Sequence, residues 1–490
     1  MEPRAELILA NRAYLDHAVA PGHDQPSQPA QGGLLAAVRP AIAPWDGASG
    51  TTWIGAGRGE HDRAWSDPDG YELIPTPSGS LRHRRLYFSA ATWRGHYGAV
   101  ANGFLWPLLH LVREPLPERT GYYPRPAAPS SDEWAQYESV NQRFARAALD
   151  DRSRAESCWV HDYQLALVPH LLREGGFPGR IGFFLHTPFP DLALAARYLD
   201  DRGLGFLREV VSGIAAAGLA GFQTDSDAAR FTTAAQALLG AEPAVGGLTV
   251  GGRFLRVGSY PVGIDVESLL SVARRAARSP LMEPAALAGV PTVVGLERAD
   301  YTKGIPERLR AIARAYREGA RFAYIGIAAP TREGVRSYQS LQPAIDAAAG
   351  EARAAARDAG LPFHQSRESA PWEEVVALQR DADVVFTSSL ADGMNLVPLQ
   401  AAVVQSLRPA RERGLILTGR DAGVSEVYRG YETSGLVPVD PFDAAAMTAA
   451  LVAALAGAPG RISDRLIAAV RAHDAQDWAT RYLADLAETC

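Results

Sequence analysis

Short apolar runs, separated by loops and by stretches of helical period, recur along most of the chain, and this spacing predicts strands alternating with helices. Glu6-Leu-Ile-Leu-Ala10 reads as a first buried strand, and Leu34 to Val38 starts a helix that Pro40 limits. Thr51-Thr-Trp-Ile54 is a strand running into glycines 55, 57 and 59. Five prolines mark residues 113–133 as an irregular surface excursion, after which 134–149 have apolar positions at helical spacing. Cys158–His161, Ile181–Leu185 and Gly218–Phe222 are predicted strands, with helices over Leu165–Leu172 and from Ser226. Residues 242–258 alternate Gly with Val and Leu, as a hairpin does. A second run follows. Thr292–Leu296, Ala323–Ile327, Asp383–Phe386 and Leu415–Leu417 are its strands, and Pro306–Tyr316 and an Ala-rich stretch near 338–359 are its helices.

Strands that alternate with helices form parallel sheets. Two such runs, joined near 260–290, predict an α/β chain of two doubly wound, Rossmann-like domains with a ligand cleft. Its 490 residues suit two large domains. With 47% hydrophobic and 21% charged residues, the chain can bury a core without covalent staples.

Charge and cysteine content narrow the function classes. A net charge of −6 argues against a nucleic-acid partner, which demands clustered Lys and Arg, while allowing a local basic pocket for a small phosphate. The two cysteines, Cys158 and Cys490, form neither a disulfide framework nor a CxxC metal site. A reducing, cytoplasmic location follows, since the N-terminal apolar stretch is too short and too charged for a signal peptide and no membrane span is seen. Self-association is allowed, and the oligomeric state is left open.

Four segments carry candidate chemistry. Ser388-Ser-Leu-Ala-Asp-Gly-Met-Asn-Leu-Val-Pro-Leu-Gln400 follows a strand, turns at Asp392-Gly393 and enters a helix near Asn395. A helix start presents free N–H groups and a positive dipole end to an anion such as a diphosphate. Alone it fits an ordinary strand-turn-helix junction equally well. Arg298 and Lys303 lie just past a strand end, where doubly wound sheets bind ligands. Two cations there can stabilise the charge of a leaving diphosphate. Asp162, after the strand ending at His161, either accepts bonds from sugar hydroxyls or caps the next helix; on its own the cap is favoured. His186 ends a strand and precedes two prolines. The D-x-D patterns at 67–69, 225–227 and 381–383 have ordinary readings as a turn, a helix cap and a helix end. No histidine pair has metal-ligand spacing.

These segments, in this order, resemble the trehalose-6-phosphate synthase family. The likeness runs from Ala10-Asn-Arg12 and Gly32-Gly-Leu34 through Leu105-Trp-Pro-Leu-Leu-His110, Trp159-Val-His-Asp-Tyr-Gln164 and Ile181-Gly-Phe-Phe-Leu-His-Thr-Pro188. It continues through Glu297-Arg-Ala-Asp-Tyr-Thr-Lys303 and Asp392-Gly-Met-Asn-Leu-Val397 to His473-Asp-Ala-Gln-Asp-Trp478. The resemblance implies a GT-B fold. Residues 1–265 would be the acceptor domain, joined by 470–490 returning to it, and 266–469 the nucleotide-sugar domain. It implies a retaining glycosyltransferase that needs no metal or other cofactor. Its partners would be a nucleoside-diphosphate sugar and a phosphorylated small-molecule acceptor. Asp162, His186, Arg298, Lys303 and Asp392 would be catalytic. Gly32, Gly33, Gly393, Met394, Asn395, Leu396, Val397 and Gln400 would join Arg298 and Lys303 around the donor. Arg12, Tyr97, Trp106 and Arg332 match positions that surround the acceptor's phosphate.

The chain departs from the family pattern at Ala56, where a tryptophan is usual, at Ala391, where an arginine is usual, and at Gln400, where a glutamate is usual. The loss of an aromatic wall and of a carboxylate suggests a specialised member with an altered donor or acceptor, such as a pseudo-glycosyltransferase. An ordinary trehalose-6-phosphate synthase is the alternative, and a non-catalytic regulatory member a third reading.

Overall fold

The computed structural model describes residues 5–18, 20–21, 28–29, 33–42, 51–76, 79–112, 121–151, 155–332 and 334–489. The chain divides into two compact units. The first comprises residues 1–111, 125–262 and 475–490, and the second 112–124 and 263–474.

The first unit is built on one ten-stranded sheet. Its strands are β1 (Leu7–Arg12), β2 (Thr52–Ala56), β3 (Tyr71–Thr76), β4 (Gly79–Leu86) and β5 (Ser157–His161). They continue with β6 (Arg180–Phe184), β7 (Leu219–Phe222), β8 (Glu242–Ala244), β9 (Gly247–Val250) and β10 (Arg253–Ser259). In space the order is β8-β9-β10-β7-β6-β5-β1-β2-β4-β3. The seven strands from β10 to β4 run parallel, and antiparallel neighbours close both edges. The Gly-rich stretch 242–258 is thus a hairpin whose last strand, β10, also joins the parallel sheet.

The C-terminal helix Ala475–Ala487 belongs to this unit. Tyr482 explains why it docks. Its hydroxyl donates to the Phe183 carbonyl at 3.0 Å and its ring stacks on Trp159. The ring fits because Gly182 and Gly221 have no side chain: a Cβ at either would lie 2.6 Å from a Tyr482 atom.

The second unit has a six-stranded, wholly parallel sheet, β11 (Thr292–Ala299), β12 (Ala323–Pro330), β13 (Phe363–Ser366), β14 (Val384–Phe386), β15 (Leu415–Gly419) and β16 (Leu436–Val439). Their order is β13-β12-β11-β14-β15-β16. Because both faces are covered, the strands read as apolar runs rather than alternating ones; Val294, Val385 and Ile416 are fully buried. Among the described residues no helix is long and apolar enough to cross a membrane.

Several local expectations change. Pro40 lies inside the helix Gly33–Ile42 and does not stop it before the last turn. Strand β11 continues to Ala299 because Glu297 and Arg298, polar and hence read as loop, still pair with Ala328 and Ala329 of β12. Arg298 therefore sits within the strand's last turn of ladder rather than past its end. The long helix begins at Ser131, under a capping box in which Ser130 and Glu133 satisfy each other's backbone N–H groups. The excursion before it is partly interior. Residues 113–120 lie outside the described set, but Tyr122 and Tyr123 are buried in the second unit, Tyr122 donating to Glu307 and Tyr123 meeting the edge of Tyr301.

Tyr482→Ala removes a buried ring and leaves the two glycines facing a void. It should cost about 3–5 kcal/mol in urea unfolding followed by tryptophan fluorescence. A loss below about 1 kcal/mol would show that the helix is not held by this ring.

Candidate active site

The sequence places the donor-side candidates in the second unit, and the structure shows what brings them together there. Between β11 and the helix Ile305–Arg317 the chain makes one 3₁₀ turn, Tyr301–Lys303, and passes Gly304 at φ +60°. Only glycine suits that position. The backbone is left-handed, and a Cβ would lie 2.3 Å from the Ser388 carbonyl oxygen. The close approach lets the Ser388 hydroxyl, at 2.9 Å from both, hydrogen-bond to the carbonyls of Lys303 and Gly304, while Leu390 N–H reaches the Thr302 carbonyl at 2.7 Å. The loops after β11 and β14 are stitched into one surface.

A polar chain fixes the side chains on it. Arg308 and Glu297 form an ion pair that is 1% exposed on both sides. The other Glu297 oxygen accepts from Asn395 Nδ2 at 3.1 Å, which also reaches the Ser389 hydroxyl at 3.2 Å. Ser389 donates to Asp392 at 3.1 Å, and the same carboxylate oxygen takes the Lys303 ammonium. Asn395 is also the N-cap of the helix Leu396–Val404, accepting from Val397 N–H at 3.0 Å. Gly393 and Met394 form the turn before it. Arg298 is exposed, with no carboxylate partner among the described residues. The result is a largely buried Lys–Asp pair, an exposed guanidinium and a helix start on one unit. That combination has the chemistry to bind a diphosphate.

Two further predicted residues lie in this unit. Gln400 is one turn into the helix, its carbonyl oxygen accepting from the buried Gln379 at 3.2 Å. Arg332, at φ +52°, donates to the buried Asp300 at 2.6 Å and to the Tyr338 hydroxyl at 2.5 Å, and Tyr338 donates to Asp300 at 2.8 Å. Neither Asp300 nor Tyr338 was singled out from the sequence.

In the first unit, Asp162 and His186 come together at the ends of β5 and β6. Asp162 does not cap the following helix, contrary to the simplest sequence reading. Its φ is +74° and its side chain makes no cap bond. Instead Oδ1 accepts the His186 N–H at 3.2 Å. A non-glycine residue at positive φ stores strain of order 1–3 kcal/mol, and such strain clusters at functional sites. His186 lies two residues beyond its strand rather than ending it. Its backbone carbonyl accepts from Gln223 at 3.4 Å, and its Nε2 lies 3.1 Å from His161 Nδ1. Only one of two facing ring nitrogens can carry the proton, so the two rings cannot both be charged. Desolvation pushes the His186 pKa down to about 3 and that of His161 well below the ordinary value, the latter also lowered by His186.

The first unit also carries three of the four acceptor-phosphate candidates. Arg12 ends β1, and its carbonyl accepts from Trp53 at 3.0 Å. Tyr97 stands on a π-helix, Arg94–Leu105, and stacks on Trp93 at 5.4 Å. Wide helical turns of this kind recur at functional sites. Trp106 follows it and packs on His110. Sequence reading missed Arg58, whose guanidinium lies over the rings of both Trp93 and Tyr97. The pKa of Asp16 is raised chiefly by burial and secondarily by Asp62, with Arg12, Arg58 and Arg85 acting in the opposite direction. An arginine two residues after the departing Ala56 was the available signal. Gly32 lies outside the described residues, and Gly33 is the first residue of a helix.

The D-x-D residues have structural duties. Asp67 closes a turn by accepting from Asp69 and Tyr71 N–H groups, Asp227 accepts the Phe189 N–H at 2.9 Å, and Asp383 accepts the Thr292 N–H at 2.8 Å.

The model of glycosyltransferase family 20 matches residues 8–488. The trehalose-6-phosphate synthase of Mycolicibacterium gilvum is 32% identical over 98% of this chain and 93% of its own length, and that of Mycobacterium avium is 32% identical over 99% and 95%. Among solved structures, a UDP-forming α,α-trehalose-phosphate synthase from Burkholderia xenovorans in complex with glucose 6-phosphate superposes with a TM-score of 0.79, at 26% identity, over 98% of this chain and 99% of that one. A trehalose-6-phosphate synthase from Burkholderia multivorans gives 0.78 at 27% identity, over 98% and 96%. Two Rossmann-like units, the conjoined loops after β11 and β14, and a family match over nearly all of its residues establish that this chain belongs to glycosyltransferase family 20, as a retaining GT-B glycosyltransferase of the trehalose-6-phosphate synthase family.

Proposed function

We propose that the protein is an ordinary trehalose-6-phosphate synthase, moving glucose from a nucleoside diphosphate to glucose 6-phosphate with retention of configuration, in the cytosol. The observation that carries the donor half is the Lys303–Asp392 pair held beside Arg298 and the start of the helix Leu396–Val404. The acceptor is supported by the relatives' names and by the glucose 6-phosphate bound in one of them, for which Arg12 at the end of β1 and Arg58 over Tyr97 supply cations in the first unit.

This reading is preferred to a specialised partner. A larger acceptor would go with open space beside Ala56, yet Ala56 is 1% exposed and its methyl is enclosed. Gln400 is engaged by Gln379, so its carboxamide is oriented rather than loose.

In the proposed reaction the acceptor hydroxyl attacks the anomeric carbon on the face that the diphosphate leaves. The carbon–oxygen bond to the diphosphate breaks as the new glycosidic bond forms, and the departing phosphate takes the hydroxyl proton. Arg298 and Lys303 neutralise the charge that grows on the leaving group, in the role a divalent metal plays elsewhere. Asp162 and the neutral His186 orient sugar hydroxyls, and Asp392 holds Lys303 in place while facing the donor sugar. The test is incubation with UDP-, GDP- and ADP-glucose plus glucose 6-phosphate in the presence of a chelator, with detection of a disaccharide phosphate by mass spectrometry. Product from one donor supports the proposal; nucleotide binding without product contradicts it.

Three outcomes follow. Arg298→Ala and Lys303→Ala should each lower kcat by roughly 10²-fold or more in steady-state assays, because each acts on charge that develops in the transition state. Arg12→Ala should raise the KM for glucose 6-phosphate by about tenfold or more while leaving the donor KM within twofold; equal losses for both substrates would remove Arg12 from the acceptor site. His161 and His186 have folded pKa values below the unfolded value of about 6.5. The stability they lend is therefore complete above about pH 6.5 and lost as pH falls toward 3, with a slope of about 1.4 kcal/mol per pH unit for each group. His161→Gln should make the acid side of a stability–pH curve shallower, and an unchanged slope would show the pair is not buried neutral.

A further inference from the structure

The first unit holds a concavity of about 610 Å³ between the β3–β4 strand pair and the last two turns of the helix Ser131–Asp150. None of Arg12, Tyr97, Trp106, Asp162 and His186 lines it. Five arginines do, Arg63, Arg84, Arg85, Arg143 and Arg146, in a chain whose net charge is −6.

The acids around this concavity offset only part of that charge. Asp150 is taken by Arg84 at 3.0 Å, and Asp67 accepts the turn N–H groups of Asp69 and Tyr71. Arg85 turns inward to Glu72. Asp67 and Asp69 have no cationic partner among the described residues. Arg63, Arg143 and Arg146 have no carboxylate partner among the described residues. Arg63 lies 4.1 Å over the Tyr87 ring and Arg143 lies 5.6 Å from that of Phe88. Aromatic faces hold guanidinium groups extended without neutralising them. Arg143 and Arg146 are also three residues apart on one exposed helix face, where like charges repel unless an anion lies between them.

We propose that this concavity is a second anion site, which takes a small phosphate-bearing molecule independently of the transfer site. Planar, preoriented guanidinium groups match phosphate oxygens with paired, charge-assisted bonds.

The test is equilibrium dialysis with radiolabelled inorganic phosphate at low ionic strength. The unmodified chain should bind one phosphate more than the Arg143→Ala/Arg146→Ala variant, or bind one of its phosphates at least tenfold more tightly. Arg143→Lys/Arg146→Lys should keep part of that binding, which a mere loss of fold would not allow. Transfer at saturating substrates in phosphate-free buffer should be unchanged in both variants. Competition by a hexose phosphate separates two sources of the same chemistry: displacement of the extra phosphate assigns the site to a phosphorylated sugar, and its retention assigns it to free phosphate. Identical stoichiometry and affinity in the unmodified chain and the alanine variant would overturn the proposal.

Discussion

The buried Arg308–Glu297 ion pair is the constraint on which the donor half of this enzyme depends. Two charges withdrawn from water are costly unless each is fully bonded, and a partner left alone costs several kcal/mol. Here the pair is completed by Ser388 and Asn395, and through Ser389 the same network reaches Asp392 and Lys303. Burial fixes one end of the chain and the site is its other end. Gly304 makes this possible, since any side chain there would push the two loops apart. The geometry of the Lys–Asp pair is therefore set by packing several residues away, as preorganised electrostatic stabilisation requires.

The first unit uses a different device. Asp162 is held at positive φ, and its carboxylate fixes the backbone of His186, whose ring is in turn fixed by His161. The two histidines are neutral because the interior between β5, β6 and the C-terminal helix is dry and aromatic, with Trp159, Phe184 and Trp478 around them. Their burial is completed by Trp478 on a helix that returns from the far end of the chain and is admitted by two glycines.

The fold was legible because its signals are local. Each parallel strand is a short apolar run, and the loops that follow β5, β6, β11 and β14 carry the polar residues that stand out against it. What was not legible depended on distant partners. Nothing near Asp162 reveals that its carboxylate serves His186 rather than a helix end. Glu297 and Arg298 look like loop residues, because the ladder that pairs them is supplied by β12. Tyr122 and Tyr123 sit in a proline-rich stretch, and only the second unit's Glu307 and Tyr301 explain their burial. The departures at Ala56 and Gln400 suggested altered partners, since a single sequence does not show that one is enclosed and the other tied to Gln379.

In the proposed reaction Lys303 is held by Asp392 in order to meet a diphosphate, not to hold the fold. Calorimetric titration of UDP into Lys303→Met, set beside its urea unfolding curve, tests this directly. At least a tenfold loss of UDP affinity is expected, with a loss of unfolding free energy smaller than the ~3–5 kcal/mol that breaking a structural buried pair costs. Unchanged UDP affinity together with a large loss of stability would contradict it, and would make the pair a structural brace.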